Sequence, residues 1–337
     1  MLIYSDFSLK EANTFNIDAK AAIYIEIAGL DDIENFVRKR RYFEMPRLVL
    51  GNGSNILFTK DFKGVVLKNL MKGIKVLNED DEIVTIKASS GEDLDGFIEY
   101  TLKNRWSGLE NLSSIPGTVG GATFQNAGAY GAEVKNYVTE IEYYDFEDFT
   151  LKSIKAEDCK FGYRTSIFKT EFLDKVFITA VTFKLSKKFS AIVTYGNLEE
   201  RLKEFAVLTP SIMRRVITAI RKEKLPDYKK LGNAGSFFKN PEITKAAFEK
   251  LVKDFPDLRN YPTENGGIKL SAGQLIDICG FKKPEEGARI GVAKYNALVM
   301  VNLGGATGKD AVNLMKQIQK AVKEKFGIKL EPEVVIC

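Results

Sequence analysis

The chain contains no histidine. That absence removes the commonest general acid or base near neutral pH and the commonest transition-metal ligand. Chemistry must then rest on Ser, Glu, Asp, Lys, Tyr, Cys or a cofactor, no metal is expected, and a flavin tethered through histidine is excluded. Cysteine is scarce as well. Cys159, Cys279 and Cys337 are odd in number, far apart and without metal-ligand spacing, which fits a reducing compartment. No apolar run approaches membrane-spanning length, and the amino terminus MLIYSDFSLKEANTF lacks a charged region followed by an apolar one. A cytoplasmic protein with no membrane partner is expected. Charge of one sign is not in large excess either: the formal net charge is +5. Basic groups such as Lys229 and Lys230 read as solvated faces, and without a recognised nucleic-acid-binding motif no nucleic-acid partner is indicated. An anionic small molecule suits the balance.

What the chain does have is length and glycine. Its 337 residues, 45% hydrophobic and 28% charged, exceed one ordinary core, so two or three lobes are expected. The stretch GLENLSSIPGTVGGATFQNAGAYGA, residues 108–132, is too glycine-rich for a helix interior and too long for a simple turn. Gly117, Gly120, Gly121, Gly128 and Gly131 let the backbone come close to a flat ligand, and Asn111, Ser113, Ser114, Thr118, Gln125 and Asn126 offer donors and acceptors among them. The alternative is a long surface loop.

Taken in order, residues 21–28 read as a strand, a helix begins at Asp31 with Ile33, Phe36 and Val37 inward, and 47–50 form a second strand. This opening ends in Gly51-Asn52-Gly53-Ser54-Asn55, either an anion-binding nest suited to a pyrophosphate or a hairpin turn. It is not the dinucleotide fingerprint, because Ile56 stands where the third glycine belongs. Further strands are expected at 65–68 and 82–88, then a helix over 92–103 capped by Ser90, then long antiparallel strands over 138–144 and 176–185. Between those strands Arg164 lies in an apolar, aromatic segment, where it needs an anionic ligand or a structural ion pair. Thr209-Pro210 begins a helix over 211–224, and the main domain boundary is placed just before it. Gly232-Asn233-Ala234-Gly235-Ser236-Phe237-Phe238-Lys239-Asn240-Pro241 sets a hydroxyl beside aromatics, with Asn240 and Lys224 suited to phosphate oxygens. Ser271 caps a helix over 272–279, residues 297–301 form a buried strand, and a helix runs over 310–325. Gly308-Lys309 fails as a phosphate loop, since Leu303 and Asp310 stand where Gly and Ser or Thr are required. Glu333 leads into a β-branched run, at a strand mouth or simply exposed.

Together these motifs resemble the flavin-dependent UDP-N-acetylenolpyruvoylglucosamine reductases of bacterial cell-wall synthesis. The resemblance covers almost the whole chain and rests on Asn13-Thr14-Phe15, Gly51 to Asn55, Glu110-Asn111-Leu112, Ile115-Pro116-Gly117, Gln125 to Gly131, Gly162-Tyr163-Arg164, Gly232 to Pro241 and Glu331-Pro332-Glu333. It implies an α+β chain with an FAD-binding fold of the vanillyl-alcohol-oxidase type in two lobes, 1–70 and 71–208, and a substrate-binding C-terminal α+β domain, 209–337. It implies non-covalent FAD, NADPH as reductant, UDP-N-acetylglucosamine enolpyruvate as substrate, and a monomer. Carried over to this sequence, Ser236 matches the general acid, and Arg164 and Glu333 its partners at the enolpyruvyl group. The cofactor set is Gly51, Asn52, Gly53, Ser54, Asn55, Ile115, Pro116, Gly117, Thr118, Gly121, Gln125, Asn126 and Arg221. Lys224 and Asn240 match diphosphate positions, Tyr130 a loop lining the site, and Tyr195 the tyrosine that covers the substrate in one subgroup. The sequence departs from the family pattern at Lys294, Gln274 and Leu94, none of them assigned to chemistry. Two rivals remain: a sugar or alcohol oxidase of the same fold, and a non-catalytic nucleotide-sugar binding protein.

Overall fold

The structure, a computed structural model, describes residues 1–193, 198–263, 265–282 and 286–337. The chain divides into two units. The first holds Met1–Phe7, Ala21–Asn52 and Phe62–Arg221; the second holds Ser8–Lys20, Gly53–Asp61 and Lys222–Cys337.

In the first unit the β-branched runs make two sheets. Strands Ile3–Ser8, Lys20–Ile27, Phe62–Asn69 and Arg47–Leu50 lie in that spatial order. Phe62–Asn69 runs parallel to both of its neighbours, and helix Leu30–Arg38 supplies the crossover that such pairing needs. Ile33 and Phe36 of that helix are buried against Ile25, Ile27, Val65 and Leu67. The second sheet is antiparallel, in the order Thr150–Lys155, Val138–Asp145, Val176–Ser186, Ile83–Ser89 and Ile74–Glu79. Its register sets Ile141 beside Val181 and Val181 beside Ala88, so one face of alternate residues is fully buried. Helix Leu94–Lys103 covers that face with Leu94, Phe97 and Ile98.

The cap of that helix differs from expectation. Asp93, not Ser90, accepts the Gly96 N–H, at 2.8 Å. Ser90 is fully buried, where its hydroxyl donates to the Ile178 carbonyl at 2.5 Å and accepts from Asn69 Nδ2 at 2.6 Å. A buried hydroxyl needs such partners, and one strand from each of the two sheets supplies them. Helix Pro210–Lys224 begins as expected, with Thr209 Oγ1 accepting the Ile212 N–H. It packs Met213, Val216, Ile217 and Ile220 against Leu198 and Leu202.

The second unit centres on an antiparallel sheet of Asn233–Ser236, Asn296–Asn302 and Ile290–Ala293. Helices Ala272–Ile278 and Gly308–Phe326 contribute Leu275, Ile276, Met315, Ile318 and Val322 to its core. Thr307 and Asp310 form a capping box on the long helix. Gly308 is required by packing, since a Cβ there would lie 2.1 Å from the Phe58 carbonyl. Strand Ile56–Leu57 pairs in parallel with Val335–Ile336.

Candidate active site

Within the first unit, sequence-distant glycine turns meet. Gly51 approaches Thr118 so closely that a Cβ would sit 2.7 Å from its Oγ1. Asn52 Nδ2 donates to the Gly117 carbonyl at 3.2 Å. Thr118 is buried and caps the short helix Val119–Phe124, accepting the Gly121 N–H at 3.1 Å. Lys68 donates to the Gly51 carbonyl at 2.5 Å, and burial together with nearby Lys72 lowers its pKa. The structure thus brings Gly51, Asn52, Gly117, Thr118 and Gly121 together.

Ser114, which leads into Ile115-Pro116-Gly117, has φ of 61°. A left-handed non-glycine residue is strained by about 1–3 kcal/mol and persists only where its surroundings fix it. Here they do. Its N–H donates to Asp95 Oδ1 at 2.5 Å, its carbonyl accepts from Arg221 Nε at 3.2 Å, and its hydroxyl lies 2.9 Å from that of Thr218. Asp95 also takes both Arg214 nitrogens, at 2.5 and 2.9 Å. Burial would raise the Asp95 pKa, but Arg214 and the Ser114 N–H outweigh it and hold the carboxylate below its ordinary value. Arg214, Thr218 and Arg221 are spaced to share one face of helix Pro210–Lys224. Burial depresses the Arg221 pKa, an effect the Tyr130 hydroxyl and Asp95 partly offset.

Asn126 and Arg164 are joined through one turn. Both have positive φ, 48° and 56°. Asn126 Nδ2 donates to the Gly162 carbonyl at 2.9 Å and to Glu133 at 3.0 Å, and its Oδ1 accepts the Lys135 N–H at 3.1 Å. With its amide committed to protein partners, its side chain acts by holding the Gly162-Tyr163-Arg164 turn. Arg164 Nη2 donates to the Gly128 carbonyl at 2.7 Å, and Glu133 lies 4.0 Å from Nη1. Arg164 therefore has both a backbone acceptor and a carboxylate nearby. Tyr130 has φ of 49°; its carbonyl accepts from Asn111, and its hydroxyl bonds Arg221. Glu110 is almost fully buried, which raises its pKa, although it accepts the Gly108 N–H at 2.7 Å.

In the second unit Ser236 ends the strand Asn233–Ser236, after Gly235 with φ of 72° and a register shift against the neighbouring strand. The next residue, Phe237, accepts the Glu333 N–H at 2.8 Å and donates its own N–H to Leu298. Ser236 and Glu333 thus lie on hydrogen-bonded segments. Asn55 touches the same place: its Nδ2 donates to the Glu333 carbonyl at 3.4 Å and its carbonyl accepts the Val335 N–H at 3.0 Å. Asn240 Oδ1 accepts the Ala272 N–H, and Lys224 closes helix Pro210–Lys224. Gly53 has φ of 63°, and a Cβ there would lie 2.1 Å from the Ala12 carbonyl. Tyr195 lies outside the described residues.

Sequence reading missed Lys68, Asp95, Arg214 and Thr218. A lysine ending an apolar strand was a usable signal for Lys68. Asp95 and Arg214 lie 119 residues apart and carried none. Of the departures, Leu94 is core, Gln274 donates to Asp257 and accepts from the Arg259 N–H, and Lys294 lies 5.3 Å from the Tyr295 ring.

Comparison with known proteins adds the class and then the family. A profile described as an FAD binding domain matches residues 21–151, and one described as the C-terminal domain of UDP-N-acetylenolpyruvoylglucosamine reductase matches residues 226–337. Together they define a flavoprotein with a family-specific second domain. The reductase of Flavobacterium johnsoniae is 41% identical over 337 residues, 99% of each chain. That of Pseudomonas aeruginosa is 42% identical over 328 residues, 97% of this chain and 96% of its own. The crystal structure of the Thermus caldophilus reductase superposes with a TM-score of 0.69 at 23% identity, over 99% of this chain and 98% of that one, a likeness of fold. The chain belongs to the UDP-N-acetylenolpyruvoylglucosamine reductase family. Its α+β fold, an FAD-binding domain followed by a C-terminal α+β domain, is the one the sequence led us to expect. Among the described residues no helix is long and apolar enough to cross a membrane, and no group of three or more His, Cys, Asp or Glu is arranged to hold a metal.

Proposed function

We propose that this protein reduces UDP-N-acetylglucosamine enolpyruvate to UDP-N-acetylmuramate in peptidoglycan precursor synthesis, using NADPH and non-covalent FAD. The observation that carries the reading is identity above 40% to reductases of this name over nearly the whole chain. The residues fit the cofactor. Glycine turns that exclude a Cβ and a lysine ammonium beside Gly51 suit a diphosphate. Gly51, Asn52, Gly53, Ser54, Asn55, Ile115, Pro116, Gly117, Thr118, Gly121, Gln125, Asn126 and Arg221 would hold it. FAD, when bound, supplies hydride transfer from NADPH to the enolpyruvyl group.

The chain's own residues bind, stabilise and protonate. Hydride addition at the substrate's methylene carbon breaks the double bond and places negative charge on the neighbouring carbon and its carboxylate. Arg164 holds that charge, an interaction that strengthens as the charge develops. Ser236 then delivers its hydroxyl proton to the neighbouring carbon, completing a methyl group and a saturated ether carbon, and regains a proton from solvent. Such positioned acid catalysis contributes roughly 10²- to 10⁴-fold. Glu333 orients the substrate for that transfer. Support for pairing the two comes from the hydrogen bond between the Glu333 N–H and the Phe237 carbonyl. Lys224 and Asn240 hold the diphosphate, Tyr130 lines the site, and Tyr195 covers the substrate. We assign these roles to a cytoplasmic monomer organised as lobes 1–70 and 71–208 with a substrate domain, 209–337.

The test is an anaerobic visible spectrum of the holoprotein. Reduction by NADPH should bleach the flavin band, and UDP-N-acetylglucosamine enolpyruvate should restore it. A band that returns only with air would favour an oxidase, and absence of bound flavin after reconstitution a binding protein.

A further inference from the structure

The turn Asn13-Thr14-Phe15 carries no group suited to the chemistry, yet it is wedged between two segments that do. Asn13 is buried and shapes the turn, its Nδ2 donating to the carbonyls of Leu9 at 2.7 Å and Ile17 at 3.0 Å and its Oδ1 accepting the Ile17 N–H. On one side, the Thr14 N–H donates to the Gly53 carbonyl at 3.0 Å, and Gly53 has no room for a Cβ. On the other, the Thr14 hydroxyl donates to the Asn233 carbonyl at 2.7 Å while its own carbonyl accepts the Asn233 N–H at 2.9 Å. Gly232 is also closely packed, since a Cβ would lie 2.6 Å from the Phe15 carbonyl. Asn302 closes the stack with its Nδ2 on the carbonyls of Phe15 and Asn16, both at 3.1 Å.

Asn233 passes this constraint on. Its Oδ1 accepts the Gly235 N–H at 3.0 Å, fixing the irregular step before Ser236. Its Nδ2 donates to the Leu231 carbonyl at 2.9 Å. A continuous path of short hydrogen bonds therefore runs from Gly53 through Thr14 and Asn233 to the residue before Ser236.

We infer that Thr14 is a positioning residue that ties the Gly53 end of the cofactor loop to the strand carrying Ser236, so that the direction of the serine hydroxyl depends on the Thr14 hydroxyl. This rests on the reading of Ser236 as proton donor. Misplacing a reacting group by about 1 Å costs roughly 10²-fold; loss of one positioning bond is a milder disturbance.

The test compares half-reactions of the holoenzyme. Thr14→Val is nearly isosteric and keeps both main-chain bonds. It should slow flavin reoxidation by UDP-N-acetylglucosamine enolpyruvate about tenfold and enlarge the solvent deuterium isotope effect on that step. Flavin reduction by NADPH and the Michaelis constant for the enolpyruvyl substrate should stay within about twofold, and Thr14→Ser should restore the rate. Amide hydrogen exchange of residues 232–238 in flavin-free protein should quicken in Thr14→Val, a readout independent of turnover. Unchanged reoxidation, or equal slowing of both half-reactions, overturns the inference. If Thr14→Val fails to fold, Gly235→Ala serves: its φ of 72° strains an alanine, but among the described residues no atom outside its chain neighbours lies within 4 Å of the added Cβ. The same slowing is expected, and an unchanged rate overturns the role. Ser236→Ala measured alongside separates the failures. If it slows reoxidation and Thr14→Val does not, only the positioning role falls; if it has no effect, the acid assignment falls and the positioning role with it.

Discussion

In the first unit the loop before Gly117 is held by side chains from far along the sequence: Asp95, Arg214, Thr218 and Arg221 surround Ser114. In the second unit the segments carrying Ser236 and Glu333 are held mainly by main chain, through Phe237 to Leu298, Glu333 to Phe237, Lys239 to Glu331 and Val335 to Asn55. The contrast fits the roles proposed for the two regions. A loop that must follow a cofactor's outline leaves its sheet, so charged side chains fix it. A segment that must aim two side chains keeps strand-like pairing, which is insensitive to which side chain is present. Substitutions in the first region should therefore act by moving the loop, and those of Ser236 and Glu333 themselves by removing chemistry from a frame that stays put.

The largest effect expected tests the second half of that contrast. Ser236→Ala should slow substrate reduction by roughly 10²- to 10⁴-fold, leave flavin reduction by NADPH nearly intact and leave the melting temperature unchanged. A large fall in melting temperature would mean that the frame had moved. Next, Arg214→Met should weaken FAD retention about tenfold, read by flavin titration, because removing one partner leaves the Asp95 carboxylate uncompensated. Equal FAD affinity would show that the Ser114 loop does not depend on the clamp.

Acid provides a third probe, specific to the first unit. The Asp95 pKa is depressed on folding, so its contribution is present above its ordinary value of 3.8 and is lost as pH falls through the lower folded value. FAD release should rise in that range for the wild type and less steeply for Asp95→Asn, as flavin fluorescence would report. Smallest is Glu331→Gln. Its carboxylate is 69% exposed and 3.7 Å from Lys239, a pairing worth about 0–1 kcal/mol, while its main-chain bond survives. Turnover should change less than about twofold, whereas Glu333→Gln, two residues on, should impair turnover more. The reverse ranking would break the distinction between frame and chemistry.

Much of this was legible in the sequence because it depends on local pattern. Alternation located Val176–Ser186, an apolar stripe located Pro210–Lys224, and glycine with polar neighbours marked 51–55, 108–132 and 232–241. What was hidden depends on tertiary juxtaposition. Thr14 and Asn233 are 219 residues apart, and although Asn13-Thr14-Phe15 is one of the motifs that carry the resemblance, nothing in it tells which carbonyl the Thr14 hydroxyl meets. Ser90 looked like a cap because serine before a helix usually is one; its burial between Asn69 and Ile178 has no sequence signature. Nor does any composition change mark Ser8–Lys20 and Gly53–Asp61 as belonging with Lys222–Cys337.

That last arrangement bears on how the molecule can be taken apart. A fragment cut at residue 222 would look self-contained by sequence, since the family profile of the C-terminal domain spans 226–337. It would nevertheless lack the turn that seats Gly232 and Asn233, and strand Val335–Ile336 would lose its partner Ile56–Leu57. Shuffling this half between relatives therefore means transplanting three stretches of chain, and a recombinant that moves only the last would carry its serine on an unsupported strand.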